Sequence, residues 1–166
     1  MIKRVAGMGL LVLTAALIMD RHAQAAGGFI WPNTGWLSAT NVYPNGRNHP
    51  GGSADIAAGY WTPIGASRAG RAYPYRDNYG ANIVVIHHEN GYATGYAHMV
   101  RWPSVYRGQW VGVNRTIGYV GSSGYATGPH THFEISRYGV RVIIPHIWIR
   151  ERVTRGYRIP GWYSGL

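Results

Sequence analysis

Glycine and proline punctuate this chain so often that no long helix can run through it. The 166 residues include 24 glycines and 9 prolines, and in a helix interior each of these either loses conformational entropy or breaks the backbone ladder. The runs between them draw on 7 Trp, 13 Tyr and 2 Phe and on β-branched residues, the types that suit a pleated, half-buried surface. The expected fold is therefore mainly β, with short strands and many turns. With 46% hydrophobic and 13% charged residues, the chain can bury one compact core and is not a disordered polyelectrolyte. It has no cysteine, which excludes disulfide staples, thiolate metal sites and a cysteine nucleophile. Any metal must sit on His, Asp or Glu.

The first 25 residues read as an export signal. Lys3 and Arg4 precede an apolar run from Val5 to Met19, and Ala23-Gln24-Ala25 fits a small-residue cleavage site. That run is short for a span of about 20 residues, so cleavage is expected rather than stable membrane insertion; a retained anchor is the alternative. Cutting after Ala25 leaves 13 arginines against 5 acidic residues and no lysine, a net charge of +8. A basic exported protein points to a polyanionic surface outside the cytoplasm. The arginines are dispersed and no nucleic-acid motif is present, so nucleic acid is not the expected partner.

Along the mature chain, 26–47 reads as an extended, turn-rich approach segment. The clearest strand is Asn82 to His88, closed by the turn Glu89-Asn90-Gly91 and returned by Tyr92 to Met99 as a hairpin. Further strands are expected at Gln109 to Val113, Thr116 to Val120, His130 to Ser136 and from Val140. The aromatic stretch Tyr73 to Tyr79 reads as a loop that either walls a groove or simply packs. A basic aromatic tail, 146–166, is either a short helix or a strap across the sheet.

Three pieces of sequence carry chemistry. In His130-Thr131-His132 the two imidazoles lie two residues apart on a strand and so share a face, about 6.7 Å apart. His49 and Asp55 flank a Gly-Gly-Ser turn, and a neutral imidazole with a carboxylate suits zinc. His98 stands at a strand end. Alone, each has an ordinary structural reading: surface histidines, a common turn, a polar strand end. Glu134 shares the His132 face and could orient a ligand or form an edge ion pair, while His87 and His88 close a strand. His88 or His87 is an alternative to His49 beside Asp55.

Taken in order, Asp55-Ile-Ala, Thr62-Pro-Ile64, Tyr79-Gly80, Val84-Val-Ile86, His88-Glu-Asn-Gly-Tyr92, Tyr96-Ala-His98, Ile117-Gly-Tyr-Val-Gly121 and Thr127-Gly-Pro-His-Thr-His-Phe-Glu134 resemble the LytM-like, or lysostaphin-type, zinc metallopeptidases from about Asn48 to Ile144. The resemblance implies an antiparallel β-sheet, sandwich-like fold over residues 48–145 with a groove holding one zinc. It also implies His49, Asp55 and His132 as metal ligands, and His98 and His130 as catalytic histidines that do not bind the metal. Five residues separate His49 from Asp55 where the family's common form has three. The implied function is a monomeric, exported endopeptidase acting on the peptide cross-links of peptidoglycan. The alternatives are a non-catalytic wall-binding or amidase-activating module, and a basic anion-binding structural protein.

Overall fold

The computed structural model describes residues 28–39, 53–144 and 149–160. The expected signal segment 1–25, His49 and His146 lie outside them. Among the described residues no helix is long and apolar enough to cross a membrane.

The described chain is mainly antiparallel β. Its strands are β1 (Gly35–Ala39), β2 (Ser53–Ala57), β3 (Pro63–Gly65), β4 (Gly70–Arg76), β5 (Asn82–His87), β6 (Tyr92–Ala97), β7 (Gln109–Val111), β8 (Thr116–Tyr119), β9 (His130–Arg137), β10 (Val140–Arg141) and β11 (Arg152–Val153). The large sheet runs β11-β1-β2-β9-β6-β5-β4-β7, with β10 also paired to β9, and β3 and β8 form a small second sheet. Strand β9 lies between β2 and β6. Flanked on both sides, it holds its side chains in fixed register.

Alternation along β9 divides core from site. Thr131, Phe133 and Ile135 are buried, while His130, His132 and Glu134 stand half-exposed on the opposite face. The buried face of the large sheet contributes Leu37, Ile56, Val84, Ile86, Tyr96 and Phe133 to one apolar cluster, and Ile64 and Ile117 of the small sheet join it. This gives the two-layer, sandwich-like arrangement expected from the sequence. Deleting a ring such as that of Phe133, which is 0% exposed, would leave a cavity costing about 3–5 kcal/mol.

The β5–β6 hairpin turns through Asn90 at φ 59° and Gly91 at φ 73°. Gly91 is required twice over, because a Cβ there would also strike the Tyr138 ring. One stretch departs from the sequence reading. The stretch Tyr73 to Tyr79 is not simply a loop, since its first residues complete β4, with Tyr73 opposite Val85 and Tyr75 opposite Ile83. Pro74 is tolerated because β7 pairs only with Gly70 to Ala72, so the missing N–H faces no ladder. The approach segment contains β1, and the tail adds β11 antiparallel to it, a strap at the sheet edge rather than a helix.

His88 is half-buried and fully engaged. Its Nδ1 faces the Ala69 carbonyl at 2.8 Å and its Nε2 faces Thr94 Oγ1 at 2.8 Å; Thr94 meets the Tyr96 hydroxyl at 2.8 Å, which accepts the Ser67 N–H at 2.7 Å. A carbonyl can only accept, so Nδ1 carries the proton. The hydroxyl protons must then run from Tyr96 to Thr94 and from Thr94 to Nε2. A second proton on the ring would put two donors, Nε2–H and the Tyr96 hydroxyl, against Thr94 Oγ1 unless the hydroxyl protons reorient. Burial accordingly lowers the His88 pKa from 6.5 to about 4.

The sign of the resulting pH dependence follows from linkage. Between pH 6.5 and 4 the unfolded chain binds a proton that the folded chain refuses, so stability is full above 6.5 and falls on the way to 4. The loss is on the order of 3 kcal/mol for a shift of this size. Urea unfolding at pH 7, 5.5 and 4.5 should show this acid sensitivity in the parent and much less of it in His88→Gln. Parallel pH slopes would contradict it.

Candidate active site

The register of three strands builds the site. Asp55 of β2 lies directly opposite His132 of β9, and His132 lies opposite Ala97 of β6. One step along, Ser53, Glu134 and Gly95 form the next row. The small residues on β6 leave the floor open: a Cβ on Gly95 would meet the Glu134 side chain at 2.8 Å. The resulting groove, about 230 Å³, is lined by Tyr75, Ile83, Val85, His98, His132 and Arg141 among others.

Asp55 Oδ1 lies 2.8 Å from His132 Nδ1 and 3.8 Å from His130 Nε2. On its other side, His132 Nε2 lies 3.8 Å from Glu134 Oε2, and Arg141 Nε donates to the same oxygen at 2.9 Å. Of the two roles open to it from the sequence, Glu134 forms the ion pair with an arginine, while its carboxylate also lies near the His132 ring. Burial disfavours a charge on His132, but Asp55 and Glu134 outweigh it and raise its pKa to about 9. Glu134 is held below the usual carboxylate range by the neighbouring His132 imidazole and by Arg141, against an opposing effect of burial.

The other two histidines are oriented by carbonyls. His130 Nδ1 donates to Gly128 O at 2.9 Å and His98 Nδ1 to Ser123 O at 2.7 Å. Because those partners only accept, the neutral rings keep their lone pairs on Nε2. The two rings lie 4.6 Å apart, and His98 is 6.2 Å from His132, centroid to centroid. Burial lowers the His98 pKa, and the neighbouring His130 and His132 add to the effect. Strand alternation would send His98 toward the core, with Thr94 and Tyr96. A left-handed backbone at φ 67° breaks that alternation, a conformation that costs energy in a non-glycine residue and is concentrated at functional sites.

A residue the sequence reading passed over holds this turn in place. Asn82, 4% exposed, donates from Nδ2 to Met99 O at 3.1 Å and from its backbone to Ser123 Oγ at 3.0 Å. Ser123 Oγ itself donates to Met99 O at 2.7 Å, and Arg76 donates to Asn82 Oδ1 at 2.9 and 3.1 Å. The residue after His98 and the loop whose carbonyl orients its ring are thereby tied to one residue, Met99 through the Asn82 side-chain amide and Ser123 through its backbone N–H. Nothing in the strand pattern around Asn82 marks it.

The structure thus brings Asp55, His98, His130 and His132 together. His49 lies outside the described residues. Among the described residues no group of three or more His, Cys, Asp or Glu side chains forms a metal-binding set. The pair Asp55–His132 nevertheless has the right donor chemistry for a divalent cation: a carboxylate oxygen and an imidazole nitrogen share one proton, which a cation would displace. The alternative to His49 is not supported. Both nitrogens of His88 are engaged elsewhere, and the His87 ring packs on Tyr73 at 4.9 Å.

A carboxylate and three histidines gathered over an antiparallel sheet make a site suited to moving protons. The chain belongs to peptidase family M23, whose family model matches residues 48–143. It is 38% identical over 108 residues to the peptidoglycan DD-endopeptidase ShyA of Vibrio cholerae, covering 60% of this chain and 25% of that protein. Among solved structures, it is similar to a zinc-containing peptidase from Vibrio cholerae (TM-score 0.63, 27% identity, 75% of this chain and 41% of that one). It also resembles the catalytic domain of the prophage-encoded M23 protein EnpA from Enterococcus faecalis (TM-score 0.58, 30% identity, 66% of this chain and 88% of that one). The chain spans about a quarter of the length of the curated relative.

Truncating the Asn82 amide should cost about 1–3 kcal/mol, the usual penalty for stranding buried polar partners. Asn82→Ala should also reduce turnover through a loosened His98 while leaving the metal content unchanged. Thermal melts, kinetics and metal analysis of the variant check this; unaltered turnover would remove Asn82 from any positioning role.

Proposed function

We propose that this protein is an exported, zinc-dependent endopeptidase that hydrolyses the peptide cross-links of peptidoglycan. The observation that carries the reading is the clustering of Asp55, His132, His130 and His98, in which Asp55 lies 2.8 Å from His132 and 3.8 Å from His130, the His98 and His130 rings lie 4.6 Å apart, and each ring is oriented by a named partner. The names of its relatives supply the substrate, and the amino-terminal signal pattern and the +8 mature charge support export to an anionic wall.

Asp55 and His132, with His49 as third ligand, would hold the zinc. When bound, zinc supplies Lewis acidity that polarises a peptide carbonyl and acidifies water. The protein's own side chains do the rest. Glu134 and Arg141 fix the ring of His132 from behind, an outer arrangement that sets a ligand's orientation and basicity. His98 and His130 keep Nε2 free of their orienting carbonyls beside the Asp55–His132 pair, where one accepts the proton of the attacking water and the other, once protonated, donates to the leaving amine. The desolvated, low-pKa His98 is suited to the accepting role. Ala97, Gly95 and the wall from Tyr75 to Val85 leave room for an extended peptide.

In this reading His132→Ala and His49→Ala each lose at least about 100-fold in zinc affinity. His130→Ala keeps the metal but loses about 10²- to 10⁴-fold in turnover on purified peptidoglycan, the usual contribution of a general acid or base. Exposed His87→Ala should match the parent in both. Competition with a chromogenic chelator and muropeptide release measure the two quantities. A His49→Ala variant that binds zinc like the parent would withdraw His49 from the site.

Docking on whole walls should weaken with salt, because exposed charges are screened over about 8 Å at physiological ionic strength. Cleavage of a small soluble peptide should respond far less. Equal salt sensitivity of the two reactions would remove long-range attraction from the account of docking.

A further inference from the structure

A second open trough, about 550 Å³, adjoins the other side of His130 and is lined by Ser38, Ala57, Ala58, Gly59, Thr127 and Pro129, among others. The chain leaves it at Gly59 and runs straight into Tyr60 and Trp61, which are 55% and 53% exposed. Two residues span at most about 7 Å, so the Trp61 backbone lies close to the trough's edge. Arg101 stacks over both Trp61 and Tyr119, at 5.3 and 5.2 Å from the ring centroids, and the neighbouring Trp102 is 51% exposed.

Trp61 occupies its place under strain. Its φ is 68°, held by Trp61 N–H to Val120 O at 2.9 Å and by Thr62 N–H and hydroxyl to Gly59 O at 3.2 and 2.8 Å. Glycine would adopt that conformation freely, whereas for a bulky side chain it is an outlier. A large apolar ring has thus been placed where it is both conformationally costly and exposed to water. The peptidase chemistry derived above does not use it.

The chemistry around the ring narrows the occupant. The stretches 56–76 and 90–133, which supply Tyr60, Trp61, Arg101, Trp102 and Tyr119, contain no Asp or Glu. The surface therefore offers aromatic rings and a guanidinium and carries no carboxylate of its own. Pyranose rings match it: their C–H faces stack on aromatics, while hydroxyl and acetamido oxygens accept from a fixed donor fork. A glycan strand also satisfies the geometry, since a stem peptide of three residues spans about 10 Å, enough to link a sugar on this shelf to a bond beside His130.

We propose that Tyr60, Trp61, Arg101, Trp102 and Tyr119 form a shelf for the glycan strand of the substrate, a polymer of N-acetylated hexosamines. The proposal rests on the peptidoglycan reading given above. It is tested with the full chain and glycan strands stripped of their stem peptides, so that binding is read without cleavage. The parent should sediment with these strands, and Trp61→Gly and Arg101→Gln should each bind at least about 5-fold more weakly. Both variants should cleave a short soluble cross-linked peptide at the parent's rate. Because glycine relieves the strain at φ 68°, Trp61→Gly should also melt no lower than the parent, and Trp61→Phe should restore most of the binding.

Absence of binding by the parent, or variants that bind as it does, would overturn the shelf. So would binding that heparin displaces and that Trp61→Gly leaves intact, the behaviour of a general polyanion surface. A parent that binds stripped strands but cleaves no peptide would keep the shelf and overturn the peptidase reading. One that cleaves soluble peptide without binding strands would do the reverse.

Discussion

The 2.8 Å contact between Asp55 Oδ1 and His132 Nδ1 is the interaction around which the rest of the site is arranged. It exists because β2 and β9 pair with Asp55 directly opposite His132, so both side chains leave the sheet on one face at neighbouring positions. A slip of one residue would turn the two histidines of β9 into the core and bring Thr131 and Phe133 to the surface. The burial of Phe133 and Ile135 opposes any such slip. Core packing thus fixes the geometry of a polar pair it never touches.

The remaining groups depend on local departures from regular structure. His98 reaches the groove because its backbone is left-handed, and the loop around Ser123, anchored through Asn82, holds its ring by one carbonyl. His130 is held by the Gly128 carbonyl two residues before it. Charge is balanced in a chain across the floor, from Asp55 through His132 and Glu134 to Arg141, each member hydrogen-bonded or ion-paired to the next. Such a chain is costly to break at any one member, because the partners left behind are partly buried charges.

Much of this was legible in the sequence. Alternation exposed β9 and its two outward histidines, and the β-branched run with its Asn-Gly turn exposed the β5–β6 hairpin. The order of motifs identified the family. Less visible were the features that alternation and propensity do not encode. β4 was hidden by Pro74 and by tyrosines that suit loops as well as strands, and β1 by the Trp-, Pro- and Gly-rich segment around it. The redirection of His98, the clamp made by Asn82 and the strained Trp61 all depend on hydrogen bonds between segments far apart in the chain. His88 looked like a spare ligand because its proton chain through Thr94 and Tyr96 appears only once β5, β6 and the Ser67 segment are packed together.

The most direct test of the central claim, that Asp55 and His132 form the core of a metal site, is anomalous diffraction at the zinc edge from crystals grown with one equivalent of zinc. The expected result is a single peak within coordination distance of the Asp55 carboxylate and His132 Nδ1, with the hydrogen bond between them gone and His98 and His130 outside the coordination shell. A peak on another set of side chains, with the Asp55–His132 hydrogen bond intact, would contradict it.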